Sequence, residues 1–179
     1  MIFLILSSLG LYLAGNHLHS LWDRDEPRFA EAARYMAFDS DWIIPHFNGS
    51  IRYDKPVLIY WLMAPLMSLF GPNEFAARLP SALAGCLNVI LLYRLAMQMG
   101  ASSANAFLAA LMFMISPLQV LVSKAAITDA VLQSTVLACT GLLWVQWTSG
   151  FRWSRHLALW ALLGLSILLK GPPLSLIHI

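Results

Sequence analysis

Long apolar runs constrain this chain more than any other feature. A helix that crosses a bilayer needs about 20 mostly apolar residues, and the segments 2–21, 75–98, 104–122, 130–147 and 156–170 come near that length. The bilayer core offers no partner to a bare backbone, so such runs fold as helices that satisfy their own amide groups. The expected fold is an all-α polytopic membrane protein with about five spanning helices. A mean hydropathy of +0.69 and a hydrophobic content of 59% exclude an ordinary soluble domain. A formal net charge of +2, with no basic stripe between aromatics, leaves no footprint for nucleic acid. Cys86 and Cys139 lie inside apolar runs and read as small core hydrophobes. The run 2–15 has no basic flank and no small-residue cleavage site, so it reads as a retained anchor.

A further apolar stretch, VLIYWLMAPLMSLF at 57–70, is shorter and contains Pro65. Whether it spans decides which loops face each other. If it spans, loop 23–56 shares a side with 148–155, and Asp129 lies opposite. If it lies in the interface, loop 23–56 and the 123–129 turn share a side, while Arg94, Arg152 and Arg155 mark the other. Short cytoplasmic loops are rich in Lys and Arg, which favours the second arrangement. The expected topology has the N-terminus inside, loop 23–56 outside and short juxtamembrane helices in that loop.

Loop 23–56 gathers the charge. LWDRDEPRFAEAARYM at 21–36 holds the acids Asp23, Asp25, Glu26 and Glu31 and the bases Arg24, Arg28 and Arg34. Asp23 and Glu26 have the spacing of a capping box, and Pro27 suits a first turn. Both acids therefore read as the cap that holds Asp25 in place. Phe29, Ala33 and Met36 recur at helical spacing, which predicts a short amphipathic helix lying on the membrane. Asn48-Gly49-Ser50 and the Pro45 region read as turns.

Ionisable groups at a membrane border are costly and mark candidate sites. In the expected topology Asp25, Lys55, Asp129 and Lys170 converge near the outer boundary. Two carboxylates and two ammonium groups suit an anionic lipid headgroup: cations hold a phosphate and a carboxylate handles a proton. Each residue also has a structural reading. Asp25 can cap a helix, Lys55 can snorkel before Pro56, Asp129 can share an N-cap with Thr128, and Lys170 can complement a helix dipole. His17, His19 and His46 lack ligand spacing, and the D-x-D at Asp23-Arg24-Asp25 is a common tripeptide.

The blocks LWDRDEPRFAEAARYM, DWIIPHFNG, YDKPVLIYWL, ARLPSALAG, ITDAVL and LLKGPP follow one another along the chain. In that order, over residues 1–173, the chain resembles bacterial membrane glycosyltransferases of the lipid A aminoarabinose transferase-like branch, allied to protein O-mannosyltransferases. The resemblance implies a GT-C-type transmembrane fold in the bacterial inner membrane, with its site facing the periplasm. It implies transfer of a sugar from a polyprenyl-phosphate carrier to a lipid (lipid A-like) or protein acceptor. It places catalytic carboxylates at Asp25 and Asp129 and donor-phosphate contacts at Lys55, Lys170 and Arg28. Glu26, Tyr53 and Asp54 support them from within the matching blocks. A divalent metal is compatible with the family, although the sequence offers no ligand cluster of its own.

The usual K-P-P of the family is Lys55-Pro56-Val57 here. Family members run to several hundred residues, so this chain is expected to supply the N-terminal, donor-side part of the transmembrane domain and to be inactive alone. One back-translation of the final LSLIHI, residues 174–179, resembles a transposon end used in library preparation. That tail is expected to be non-native. The competing class is a non-catalytic lipid-linked-sugar carrier or scaffold. A carrier should keep charges near the bilayer midplane on broken helices, whereas here they gather at one border.

Overall fold

The structure, a computed structural model, describes residues 1–22, 24–39 and 41–171. The capping role expected of Asp23 and the tail 174–179 lie outside the described residues. The elements are α1 (Ile2–Leu13), α2 (Asp25–Asp39), β1 (His46–Phe47), β2 (Ser50–Ile51), α3 (Leu58–Phe70), α4 (Glu74–Gln98), α5 (Ser103–Ile115), α6 (Pro117–Lys124), α7 (Asp129–Ser149) and α8 (Trp153–Lys170). β1 and β2 pair antiparallel across Asn48 and Gly49. Both turn residues have positive φ, 51° and 77°, as a tight hairpin turn requires.

Among the described residues, two helices are long and apolar enough to cross a membrane. At 1.5 Å per residue, α4 with 25 residues and α7 with 21 extend about 37 and 31 Å, against a hydrocarbon core of about 30 Å. A third candidate is the pair α5 and α6, which qualifies only as a unit bent by 61°. The bend falls where the sequence suggests one continuous run. Pro117 has no amide hydrogen to continue α5, and the Ser116 hydroxyl accepts from Gln119 N at 3.4 Å to start α6 anew.

The run expected over 2–21 is helical only to Leu13. Gly15, at φ 74°, turns the chain out of the helix. Distant cations then meet its freed carbonyls: Lys124 Nζ donates to Leu11 O and Ala14 O, and Arg78 donates to Asn16 O, His19 O and Ser20 O. Irregular backbone at membrane depth is tolerated only where protein satisfies it, and these donors do so.

Small residues let the helices approach. Ala77, Ser81 and Gly85 recur every four residues on α4, the spacing of membrane helix contacts. Ser81 Oγ donates to Ile127 O at 3.0 Å. Deeper along the same pair of helices, Asn88, fully buried, donates to Ala130 O and Gln133 Oε1 and accepts from Ser134 Oγ at 2.6 Å. This polar seam joins α4 to α7 where water offers no competition. One apolar cluster joins Leu4 and Tyr12 of α1 to Ala82, Cys86 and Val89 of α4 and to Ala110 and Met114 of α5. The other joins Phe29 to Met36 of α2, Ile59 to Met67 of α3, Ala76 and Ala77 at the start of α4, Ala126, and Leu169 at the end of α8.

That second cluster orders the loop. The apolar face of α3 lies along α2; both rest against the start of α4, and α3 also meets the end of α8. The predicted amphipathic helix is α2, whose Phe29, Ala33 and Met36 are all buried. Residues 57–70 thus pack beside the loop helix.

A Cβ at Gly85 would lie 2.3 Å from Ser123 Oγ and 2.6 Å from Ser123 Cβ. Gly85→Ala should therefore push α6 away from α4 and cost about 1–3 kcal/mol. The check is a lowered denaturation midpoint in detergent, restored by Ser123→Gly in the double variant.

Candidate functional site

Burial makes the acidic Glu26 the centre of the border region. Its side chain is 4% exposed and faces Arg78, 6% exposed, at 2.8 Å. Arg78 Nε and Nη2 donate to Glu26 Oε1 and Oε2 at 3.0 and 2.8 Å, a two-pronged pairing that only a guanidinium makes. The amides of Trp22 and Ala126 also donate to this carboxylate, each at 2.5 Å. Burial pushes the Glu26 carboxyl upward, but the hydrogen bonds from Arg78, Trp22 and Ala126 outweigh it and hold the pKa below the ordinary value. Glu26 therefore reaches back to Trp22 as a cap does, and also binds α4 and the 125–128 turn.

That turn leads to the second centre. Asp129 opens α7 and Lys170 closes α8, and Lys170 Nζ donates to Asp129 Oδ1. The pair is partly exposed, with side-chain accessibilities of 41% and 35%. Each charge also complements the dipole of its own helix. Asp129 lines a cleft of about 500 Å³ with Ser116, Gln119 and Gln133.

Of the residues expected at the site, Asp129 and Lys170 are brought together directly. Asp25, exposed, sits beside Glu26 in the first turn of α2. Through the Glu26–Ala126 bond it shares a border with the turn before Asp129. Arg28, half-buried, lies in the same turn of α2, and Lys55, half-buried, lies just ahead of α3. The α2 and α3 helices touch where Phe29 meets Tyr60, their ring centroids 5.9 Å apart. Asp25, Arg28 and Lys55 enter no ion pair among the described residues.

Tyr53 is 85% exposed. Asp54 pairs at 3.6 Å with Arg52, whose Nε donates to Tyr60 OH at 2.9 Å. The Arg52 guanidinium lies 5.3 Å from the Phe29 ring and 5.8 Å from that of Phe47. Asp54 thus braces the residue that ties the hairpin to α2 and α3. Among the described residues no group of three or more His, Cys, Asp or Glu is placed to hold a metal.

An apolar groove of about 650 Å³ runs beside this border. Leu62 and Leu66 of α3 form one wall, with Leu83 and Leu87 of α4, Val131 of α7 and Leu162 of α8 opposite. Such a surface suits a hydrocarbon chain rather than a polar substrate.

Arg78 escaped the sequence reading, which treated ARLPSALAG only as a block. The signal was present, since an arginine within the first turns of an apolar span is costly and implies a buried partner. Lys124 and Asn88 were likewise overlooked.

The dolichyl-phosphate-mannose-protein mannosyltransferase family matches residues 54–178. The chain belongs to that family. Among its relatives is an undecaprenyl phosphate-alpha-4-amino-4-deoxy-L-arabinose arabinosyl transferase of Pseudomonas paraeruginosa, 35% identical over 164 residues. The alignment covers 91% of this chain and 30% of that protein. The Erwinia tasmaniensis transferase of the same name is 32% identical over 155 residues, covering 87% of this chain and 28% of its own. The chain thus spans less than a third of the length of these relatives. The structure of ArnT from Cupriavidus metallidurans bound to undecaprenyl phosphate superposes with a TM-score of 0.86 at 23% identity, over 95% of this chain and 32% of that one. The mannosyltransferase-family chain is therefore an aminoarabinose transferase-like, multi-pass membrane protein with part of a GT-C fold.

The Glu26–Arg78 pair gives the site a pH limit. Because the Glu26 pKa is lowered on folding, its stabilisation is fully present above the ordinary glutamate value of 4.5 and is lost as pH falls through the lowered value. Glu26→Gln should flatten that acid limb in detergent unfolding. Arg78→Met, which strands a buried carboxylate, should cost about 3–5 kcal/mol near neutrality.

Proposed function

We propose that residues 1–173 form the donor-side part of a membrane glycosyltransferase that takes a sugar from a polyprenyl-phosphate carrier. The transfer takes place at the outer, periplasmic face of a bacterial inner membrane, and the acceptor is a lipid of the lipid A type. The observation that carries this reading is the Asp129–Lys170 pair, held at the border where the charged first loop meets the 125–128 turn. The relatives' names and the undecaprenyl phosphate bound in the structural neighbour support the donor class.

In this reading the isoprenoid chain lies in the groove between α3, α4, α7 and α8, and Lys55 and Arg28 meet the phosphate. Lys170 adds positive charge there while its bond to Asp129 keeps it in place. The acceptor oxygen bonds to the anomeric carbon as the bond from that carbon to the phosphate oxygen breaks. The electron pair leaves with polyprenyl phosphate, whose charge the cations stabilise. Where the acceptor oxygen carries a proton, Asp25 takes it. Asp25 suits that part because it is exposed at the border, whereas Glu26 is buried and fully engaged.

Two substitutions in a full-length relative carrying these blocks separate the roles. Asp25→Asn should lower sugar transfer by about 10²-fold or more while undecaprenyl phosphate binding persists. Lys55→Gln should weaken that binding. Near-normal transfer by well-folded Asp25→Asn protein removes Asp25 from catalysis.

A further inference from the structure

Beside Arg78 lies a second feature of the border. Two cavities, of about 450 and 490 Å³, share Trp22, Arg78 and Lys124 in their linings. The first is lined on its apolar side by Pro117, Val120 and Leu121 of α6, and also by Glu26, whose charge Arg78 offsets. The second reaches Asn16, His19 and Ser20, where the chain leaves α1. Asp25, Lys55, Asp129 and Lys170 line neither.

Donors and charges are out of balance here. All five N–H groups of Arg78 are spent, on Glu26 and on the carbonyls of Asn16, His19 and Ser20. Lys124 gives two of its three to Leu11 O and Ala14 O, and enters no ion pair among the described residues. Glu26 offsets Arg78, so Lys124 leaves the cluster with one uncompensated positive charge. The Asn16 side chain is the other excess. Its residue is 2% exposed, yet neither Oδ1 nor Nδ2 has a partner. Buried amides are almost always hydrogen-bonded.

We propose that this double cavity binds the phosphate of an anionic membrane phospholipid. Lys124 supplies the charge and its third N–H, and the Asn16 amide donates to a phosphate oxygen. The acyl chain leaves along the apolar wall formed by Pro117, Val120 and Leu121. The combination favours a lipid over a free anion: the polar end supplies a cation and an orphaned amide, while the other end is hydrocarbon. Bound there, the lipid would tie the end of α1 to α6 and hold the backbone that Arg78 and Lys124 cap.

The test is native mass spectrometry of the whole chain in detergent, titrated separately with phosphatidylglycerol, diacylglycerol and inorganic phosphate. Phosphatidylglycerol should bind one to one, and Asn16→Ala and Lys124→Gln should each weaken it about tenfold. Diacylglycerol and inorganic phosphate should each bind at least tenfold more weakly than phosphatidylglycerol. Unchanged phosphatidylglycerol binding by Asn16→Ala overturns the proposal, as does diacylglycerol binding equally well. Inorganic phosphate binding as tightly as phosphatidylglycerol would make this a free-anion site and overturn the lipid assignment. The Asn16 side chain makes no hydrogen bond among the described residues, so its removal should leave the helical circular dichroism unchanged. Should Lys124→Gln lose helicity with the α1 contacts, the Asn16→Ala result decides alone.

Discussion

Arg78 is the residue on which the border of this protein depends. After α1, residues 14–22 run without helix or strand, so the carbonyls of Asn16, His19 and Ser20 need donors from elsewhere. One guanidinium, brought by the first turns of α4, satisfies all three and still grips Glu26 with its remaining N–H groups. A buried ion pair is weak evidence for stability by itself, because desolvation cancels much of the attraction. Its value here is positional. It fixes the start of α2 against the start of α4, and the Ala126 amide adds the turn before α7.

The site geometry follows from that placement. With α2 anchored, its apolar face receives α3, and α3 in turn meets the end of α8, in the same apolar cluster as Leu169. Lys170 is the next residue, and its bond to Asp129 closes the circuit between α7 and α8. The charged side chains of the border therefore divide into two kinds. Glu26, Arg78 and Arg52 are buried and build the scaffold. Asp25, Arg28 and Lys55 stand at helix starts, where a ligand can reach them.

Much of the helical framework was legible because hydrophobic length and periodicity are local properties. The runs at 75–98 and 130–147 became α4 and α7, and the spacing of Phe29, Ala33 and Met36 became the buried face of α2. What escaped depends on distant partners. Gly15 is a local stop signal for α1 that the apolar run around it masked, and the groups that take up the freed carbonyls sit far off, on residues 78 and 124. The break at Ser116-Pro117 was readable from its chemistry, but the apolar composition on both sides masked it. In the candidate site, the convergence of Asp129 with Lys170 followed from topology. The spacing of Asp23 and Glu26 already set Glu26 apart from Asp25 as a cap, but its buried partner Arg78, 52 residues away, was out of reach of local pattern.

The Glu26–Ala126 bond also has a temporal side. Its two ends lie 100 residues apart in sequence, with α3, α4, α5 and α6 between them. At about 5–20 residues per second, a ribosome takes about 5–20 s to make that interval. Over about the first half of it Arg78 is also unmade, and until Ala126 follows the carboxylate lacks a bond and the first loop stays unfinished. The border of this protein therefore cannot close until α3 to α6 have been made, although its first acids are made early.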